Sequence, residues 1–201
     1  MAEITGDFEH AIRESGRVLA VRGQIVPATL RDVVLCATAG SEVRVGESKV
    51  PQGIERIDRV FLEPADAEIN PEAETAILAA ELISVGPGSL YTSILPNLLI
   101  DGMVEALRAS PAVKVYVCNI AGQPGETMGF SVSEHLKTIE DHVGNHLFDY
   151  VIVNSNTGLP LPPSAVKAGV TRVGFERAQA GQQPENYILA DVSSSQLSTP
   201  H

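Results

Sequence analysis

The sequence predicts an α/β fold in which a mostly parallel sheet carries helices on both faces, with a β-hairpin-rich excursion near the N-terminus. Three observations predict it. From residue 71 onward, helical and strand-like segments alternate along the chain. The strand-like segments are apolar along their whole length, as in parallel strands that are buried on both faces. Before residue 62, short β-branched runs are separated by Gly or Pro, as in antiparallel hairpins.

Length, composition and charge bound the class of protein. The chain has 201 residues, of which 44% are hydrophobic and 19% are charged, and this composition fits one folded domain spanning residues 1–201. The formal net charge of −11 argues against nucleic-acid binding, because affinity for a phosphate backbone depends on clustered Lys and Arg. No apolar run reaches the roughly 18 residues of a membrane span, and no signal peptide is evident. We therefore expect a cytoplasmic protein without a membrane partner.

The first elements are predicted to be a short helix followed by strands. TGDFEHAIRESG has apolar residues at helical spacing and stops at Gly16. RVLAVRG, DVVLCATAG, SEVRVGESKV and IDRVFLEP then form a β-rich excursion over residues 17–62, with a hairpin at Ala39-Gly40. Cys36 and Cys118 each lie alone in a strand-like run, without CxxC spacing. We interpret both as reduced core residues rather than as zinc ligands or a disulfide.

The second part of the chain repeats a helix and a strand. PEAETAILAAEL precedes LISVG, LIDGMVEALRAS precedes VKVYVCN, and SVSEHLKTIEDHVG precedes DYVIVN, before PPSAVKAG and NYILADV complete the series. This is a Rossmann-like, doubly wound layout, in which ligands bind beyond the carboxyl ends of the strands. Three of these ends are followed by small, amide or hydroxyl residues, in GPGS, CNIAGQPGETMGF and NSNTG. We expect all three segments to lie at one rim of the sheet.

The segment GPGSLYTS predicts either an anion site or an ordinary tight turn. Gly86 and Gly88 allow positive φ or a close approach of backbone, and Ser89 is a good N-cap for a helix that begins near Leu90. Free N–H groups in the first turn, together with the hydroxyls of Ser89 and Thr92, would suit a phosphate. The segment lacks GxxxxGK[ST], so ATP hydrolysis by a Walker loop has little support.

The segment CNIAGQPGETMGF is longer than most strand-to-helix connections, which is typical of functional loops. The amides of Asn119 and Gln123 suit a base or a sugar, and Glu126 suits sugar hydroxyls or a group on the protein itself. The alternative is a plain polar loop that leads to a helix N-cap at Ser131 or Ser133. Across the three segments, the candidate ligand-binding residues are Gly86, Pro87, Gly88, Ser89, Leu90, Thr92, Asn119, Gln123, Pro124, Gly125, Glu126, Thr127 and Asn154.

The sequence assigns no catalytic residue and no metal ligand. His135 and His142 fall on one face of a helix, but no third ligand is evident, so we expect this face to be solvated. GxSxG is absent, which argues against a Ser-His-Asp hydrolase. Acid–base catalysis by Glu126 with His135 is a minor alternative.

Several motifs resemble, in order, the YvcK-type gluconeogenesis factor family, a relative of the CofD phospholactate transferases. They are TGDFEHAI, LAVRGQIVPAT, VGESKV, RVFLEP, GPGSLYTSILPNLL, VYVCNIAGQPGET and FDYVIVN, which together span about residues 1–155. The resemblance implies a CofD-like Rossmann fold and binding of UDP-sugars such as UDP-N-acetylglucosamine or UDP-glucose. It also implies a link to growth on gluconeogenic carbon sources and to cell shape, with no firm enzymatic reaction.

The resemblance places phosphate and sugar contacts at the same two loops, on Gly86, Gly88, Ser89, Leu90, Asn119, Gln123 and Glu126. The family's opening GGGTG-type loop and its later His-Asp motif are not matched, so we interpret the chain as truncated at both ends. A sheet without its first strand would expose an edge, which makes self-association into a homo-oligomer an expectation. Met128 and Phe130 stand where Asp and Tyr are expected, which affects hydrogen bonding in the second loop.

Two functions of different class follow. The first is a regulatory protein that binds a UDP-sugar and signals through a protein partner, with no cofactor. The second is a CofD-like transferase that moves a phospholactyl or related group from a nucleotide diphosphate donor with Mg²⁺. No clustered Asp is evident to hold Mg²⁺, which favours the first function. A third interpretation is a remnant too short to bind a ligand.

Overall fold

A computed structural model describes residues 23–51, 56–158, 160–175 and 186–193. The predicted N-terminal helix and the strand expected in RVLAVRG lie outside these ranges, apart from Gly23. The described residues form one antiparallel three-stranded sheet and one parallel four-stranded sheet with helices. This arrangement confirms the predicted α/β class and the β-rich excursion that precedes the parallel sheet.

The excursion is an antiparallel sheet with strand order β2-β1-β3, formed by Val34–Ala39 (β1), Glu42–Val45 (β2) and Arg59–Glu63 (β3). The β1–β2 turn is the predicted hairpin, with Gly40 at a φ of 59° that favours glycine. A single 3-10 turn, Glu47–Lys49, follows β2. One face of the sheet contributes Leu35 and Leu62 to the buried core.

The parallel sheet has strand order β4-β5-β6-β7. Its strands are Leu82–Val85 (β4), Val113–Val117 (β5), Tyr150–Asn154 (β6) and Asn186–Ala190 (β7). The helices are Pro71–Ala79 (α1), Leu95–Leu98 (α2), Met103–Ala109 (α3), Val132–Val143 (α4) and Pro163–Lys167 (α5), and a π-helical turn at Leu90–Ile94 leads into α2. Among the described residues, no helix has the length and apolar character needed to cross a bilayer.

Local sequence explains where the two longest helices begin. Pro71 occupies the first turn of α1, and the Asn70 side chain accepts a hydrogen bond from the Glu72 N–H at 3.0 Å. At α4, the Ser131 hydroxyl accepts from the Glu134 N–H and the Glu134 carboxylate accepts from the Ser131 N–H, which is a reciprocal capping box. Of the two N-cap residues that the sequence predicts, Ser131 is the one that caps α4.

The parallel strands are buried as predicted in the interior of their sheet but not at its edges. Tyr116 is fully buried in β5 and its ring stacks on Phe148 at 5.3 Å between centroids. Both cysteines are free thiols with almost no exposed surface, and burial raises the pKa of Cys118 to about 12. Leu82 in β4, however, is 64% exposed. The prediction that β4 is buried on both faces is therefore wrong, because β4 is an edge strand of the described sheet.

The expectation of a solvated histidine face on α4 is wrong. His135 has no exposed surface, and the edge of its ring packs against Phe130. The His142 Nε2 accepts a hydrogen bond from the Val60 N–H at 3.0 Å, so the end of α4 packs on β3. Burial lowers the pKa of both imidazoles. The histidines are therefore packing groups at the junction of α4 with the rest of the fold.

Candidate functional site

The loops that follow β4 and β5 meet at one rim of the parallel sheet and line a cavity of about 440 Å³. The residues that line it come from the first loop, the end of β5, the second loop and the segment after β7, and they are Pro87, Gly88, Ser89, Val117, Cys118, Asn119, Ile120, Ala121, Gln123 and Val192. Five of the predicted site residues are among them. The ligand-binding role of these residues stays a prediction, but the two loops on which it depends do lie together.

Two glycines in these loops combine a positive φ with a close backbone contact. Gly86 has a φ of 87°, and a Cβ at this position would lie 2.8 Å from the Val117 carbonyl oxygen in β5. Gly125 has a φ of 79°, and a Cβ there would overlap the Pro51 carbonyl. Any side chain at Gly86 would push the first loop away from β5. Gly86 therefore holds the first loop close to β5, whose last residue, Val117, lines the cavity.

Ser89 does not cap the helix that follows it. Ser89 stands at the predicted N-cap position, directly before Leu90, but its side chain makes no capping hydrogen bond. Its hydroxyl instead accepts from the Gln123 Nε2 at 2.7 Å, which joins the first loop to the second. The sequence pattern could not reveal this bond, because the two residues are brought together only by adjacent strands of the sheet.

The helix start is capped by Glu126 from the second loop. The Tyr91 N–H donates to one carboxylate oxygen at 3.4 Å, and the Thr92 hydroxyl donates to the other at 3.2 Å. Glu126 is only 8% exposed, and burial raises its pKa, while the hydrogen bonds from Thr92 and Tyr91 act in the opposite direction. A carboxylate of the protein thus occupies the donors that we expected to face a phosphate.

The second loop is held in shape by its own backbone and hydroxyl groups. The Gln123 N–H donates to the Thr127 hydroxyl at 3.0 Å, and the Gln123 carbonyl accepts from the N–H groups of Glu126 and Thr127. Thr127 is fully buried, whereas Pro124 is exposed. Thr127 and Glu126 therefore support the loop from below, and Gln123 presents its amide to the cavity.

The cavity contains two acceptors that lack a hydrogen-bond partner within the described structure. They are the Asn119 Oδ1 and the Gln123 Oε1, both buried. A buried amide oxygen without a partner costs free energy, so such groups commonly receive a hydrogen bond from water or a ligand. The pair is suited to a ligand that carries N–H or O–H donors.

Asn154 lies at the end of β6, and its side chain binds the segments that follow β6 and β7. Its Oδ1 accepts from the Asn156 and Val192 N–H groups at 3.3 Å, and its Nδ2 donates to the Asn156 carbonyl at 2.8 Å. Asp191 accepts from the Ser193 hydroxyl and the Asn156 amide, which lower its pKa. Asn154 does not line the 440 Å³ cavity and acts on it through Val192.

The residues that line the cavity carry no formal charge. An anion would be held there by backbone N–H groups and hydroxyls rather than by Lys or Arg. Within the described ranges, no group of three or more His, Cys, Asp or Glu side chains could hold a metal ion.

A second cavity, of about 510 Å³, was not predicted from the sequence. It lies between the segment 27–33 and the start of α2, with Leu62, Pro96, Asn97 and Ile100 also in its wall. The walls are largely apolar, and the segment QIVPATLRDV carries no motif that would have indicated a site.

Comparison with known proteins supports the resemblance. The profile of the family described as 2-phospho-L-lactate transferase CofD matches residues 1–182. The gluconeogenesis factor of Bacillus subtilis is 47% identical over 156 residues, which are 77% of this chain and 49% of that protein. The putative gluconeogenesis factor of Nostoc sp. is 45% identical over 197 residues, which are 96% of this chain and 43% of that protein.

A solved structure agrees with these sequence matches. The crystal structure of a UPF0052 family member from Bacillus halodurans has a TM-score of 0.85 and 38% identity, and the match covers 94% of this chain and 62% of that one. The chain spans about half the length of the curated relatives it matches. From the family profile, the relatives and the shared fold, we conclude that the chain belongs to the CofD family and is similar to the gluconeogenesis factors within it.

Proposed function

We propose that this chain forms part of a UDP-sugar binding site in a regulatory protein of the gluconeogenesis factor type, linked to carbon metabolism and cell shape. The observation that carries the proposal is the uncharged cavity at the strand ends, with its glycine turn on one side and two unpartnered amide oxygens on the other. Such a cavity suits a ligand with a diphosphate and several neutral donors.

The two sides of the cavity would bind different parts of the ligand. The backbone from Pro87 to Ser89 lines the cavity, and the N–H groups of Gly88 and Ser89 suit the diphosphate. The Asn119 and Gln123 oxygens suit the imide N–H of uracil or the hydroxyls of the sugar, because both are donors. Leu90, Thr92, Glu126 and Thr127 would act by holding the two loops in position.

A CofD-like transferase is the second candidate, since the family profile carries a transferase description. Transfer needs a cation near the diphosphate and a base near the attacking group. Glu126, the carboxylate of the second loop, already accepts hydrogen bonds from Tyr91 and Thr92. Binding without turnover is therefore the function that the described residues support better.

The test is calorimetric titration of the 201-residue chain with UDP-N-acetylglucosamine, UDP-glucose and UDP. In Gly88→Asp, a carboxylate enters the cavity wall, and its Cβ lies 3.3 Å from the Ser93 Cβ, a tight contact that a small shift of Ser93 relieves. We expect affinity to fall by about tenfold or more, because the new charge opposes the diphosphate. Gly174→Asp is the matched control, since its Cβ meets no atom within 4 Å and it does not line the cavity.

Two outcomes would contradict the proposal. Equal affinity in Gly88→Asp and Gly174→Asp would show that the ligand binds elsewhere, and no heat with any of the three ligands would remove UDP-sugars as its ligand class. Release of the nucleotide from a diphosphate donor, followed by chromatography, would replace the regulatory function with the transferase.

A further inference from the structure

The end of α4 is joined to β3 by a hydrogen bond from a backbone N–H to a side-chain ring. Within the described residues, β3 is an edge strand of the antiparallel sheet, whose order is β2-β1-β3. In an edge strand, alternate backbone N–H groups face away from the neighbouring strand and have no strand to bind. The Val60 N–H instead donates to the His142 Nε2 at 3.0 Å. The imidazole therefore accepts a bond that a further strand would otherwise accept.

The second ring nitrogen of His142 fixes the protonation state in which this bond can form. The Nδ1 atom lies 2.6 Å from the Thr138 carbonyl oxygen, which can only accept, so Nδ1 carries the proton. In the neutral ring, Nε2 then has a lone pair that accepts from the Val60 N–H. An imidazolium is a donor at both nitrogens and would place one N–H against another. The contact between α4 and β3 thus requires a neutral His142.

The surroundings of His142 favour the neutral ring. The side chain is half-buried, and burial lowers its pKa, as does the positive charge of Arg59 on β3, whereas the Thr138 carbonyl and Asp141 act in the opposite direction. The Arg59 guanidinium donates to the Asp141 carbonyl at 3.4 Å, so it lies beside the same helix end. The other titratable or charged groups on the elements around the ring are Tyr91, which meets it edge-on, Lys137, which pairs with Asp141, and Arg56, Asp58 and Glu126, which act on Tyr91.

We propose that His142 is a pH-sensitive switch, in which the neutral ring holds β3 against α4 and the imidazolium releases it. Because β3 pairs with β1 and β1 with β2, release frees one edge of the whole antiparallel sheet from the helix. The pKa of the ring is lower when docked than when free, so docking is complete above the free value of roughly 6.5 and weakens as the pH falls below it. Arg59 repels the imidazolium and so opposes redocking in acid.

Nuclear magnetic resonance of the ¹⁵N-labelled chain tests the switch. We expect a scalar coupling between the Val60 nitrogen and the His142 Nε2 at about pH 7.5, which disappears as the ring nitrogens report protonation towards about pH 5. Over the same range, the protection of the Val60 amide from hydrogen exchange falls by about tenfold or more, after correction for the intrinsic rate. The amides of β6 keep their protection, because β6 lies in the interior of the parallel sheet.

Two variants separate His142 from the other titrating groups. His142→Gln keeps an oxygen that can accept from the Val60 N–H but does not titrate, so we expect the protection of Val60 to stay level over this range. His146→Asn is the matched control, since His146 is exposed and bonds to neither α4 nor β3 in the described structure. It should keep the pH response of the parent chain.

Four results would overturn the proposal. They are no coupling at about pH 7.5, a Val60 protection that does not change while His142 titrates, a parent-like pH response in His142→Gln, and a loss of protection in β6 that matches the loss at Val60. The first two and the last are measured on the parent chain, so they decide the question even where a variant does not fold. No nucleotide sugar is present, so this inference stands apart from the proposed function.

Discussion

Glu126 shows how a single residue joins the two loops of the site. Its carboxylate accepts from the Tyr91 N–H and the Thr92 hydroxyl while being 8% exposed. We expect Glu126→Ala to lower the free energy of unfolding by about 1–3 kcal/mol, because it leaves buried donors unpaired. Glu126→Gln keeps one amide acceptor, so its loss should be smaller. Urea unfolding measures both, with the exposed Glu105→Ala as control; equal losses in the two Glu126 variants would contradict this role.

His135 makes stability depend on pH. Burial lowers its pKa, so the unfolded chain binds a proton more readily than the folded one. Stability is therefore full above the unfolded pKa of roughly 6.5 and falls as the pH drops through it. His142, whose pKa burial also lowers, acts in the same direction.

Replacing His135 by Phe tests this linkage. The ring position stays filled, and the Ser131 carbonyl keeps its bond from the residue-135 N–H. We expect His135→Phe to lose less stability than the parent chain between pH 7 and pH 5, measured by thermal unfolding. His146→Asn, at an exposed position with a φ of 57°, should retain the parent's pH profile. A pH profile unchanged in His135→Phe would refute the assignment.

At the scale of elements, Gly86 fixes the distance between the first loop and β5. We expect Gly86→Ala to destabilise the fold by about 1–3 kcal/mol more than Gly40→Ala does. Both glycines have positive φ, but a Cβ at Gly86 meets the Val117 carbonyl at 2.8 Å, whereas Gly40 has open space. Chemical denaturation of the two variants isolates the contact from the strain of positive φ. Equal losses would mean that β5 moves aside without cost.

The sequence predicted elements better than it predicted their neighbours. The hairpin at Gly40, the parallel strands and the Ser131 cap depend on local residue patterns, and these were confirmed. The Ser89 hydroxyl and the His135 ring were misplaced, because their surroundings come from residues far away in sequence. A helical pattern shows that two histidines share a face, but it does not show which element packs on that face.

For the site, the sequence indicated the two loops because strand ends in α/β sheets converge. It offered a group on the protein itself as one of two partners for Glu126, but it did not indicate that this group is the helix start, because that contact joins two loops that are far apart in sequence. Asn154 was grouped with the cavity for the same reason as the loops, but its side chain bonds to Asn156 after its own strand and to Val192 after β7.

At the scale of the whole molecule, the net charge of −11 opposes any anionic ligand. Salt screens this long-range repulsion, whose range shrinks from about 30 Å at 0.01 M to about 8 Å at 0.15 M. The cavity wall contains no Lys or Arg, so it offers no cation–phosphate contact for salt to weaken. We expect the affinity for a UDP-sugar to stay level or rise over this range in calorimetric titration. A steep fall would indicate Lys or Arg contacts from outside the cavity.

Tyr91 connects the rim of the parallel sheet to the segment that leads into the antiparallel sheet. Its N–H is bound to Glu126 at the rim, and its hydroxyl donates to the Ile57 carbonyl, two residues before β3, both at 3.4 Å. The residue is 2% exposed. A shearing motion of the parallel sheet past the antiparallel one would break both bonds at once. These bonds therefore couple the rim to the β-rich excursion, and we expect a displacement of one sheet to be passed on to the cavity wall beside the other.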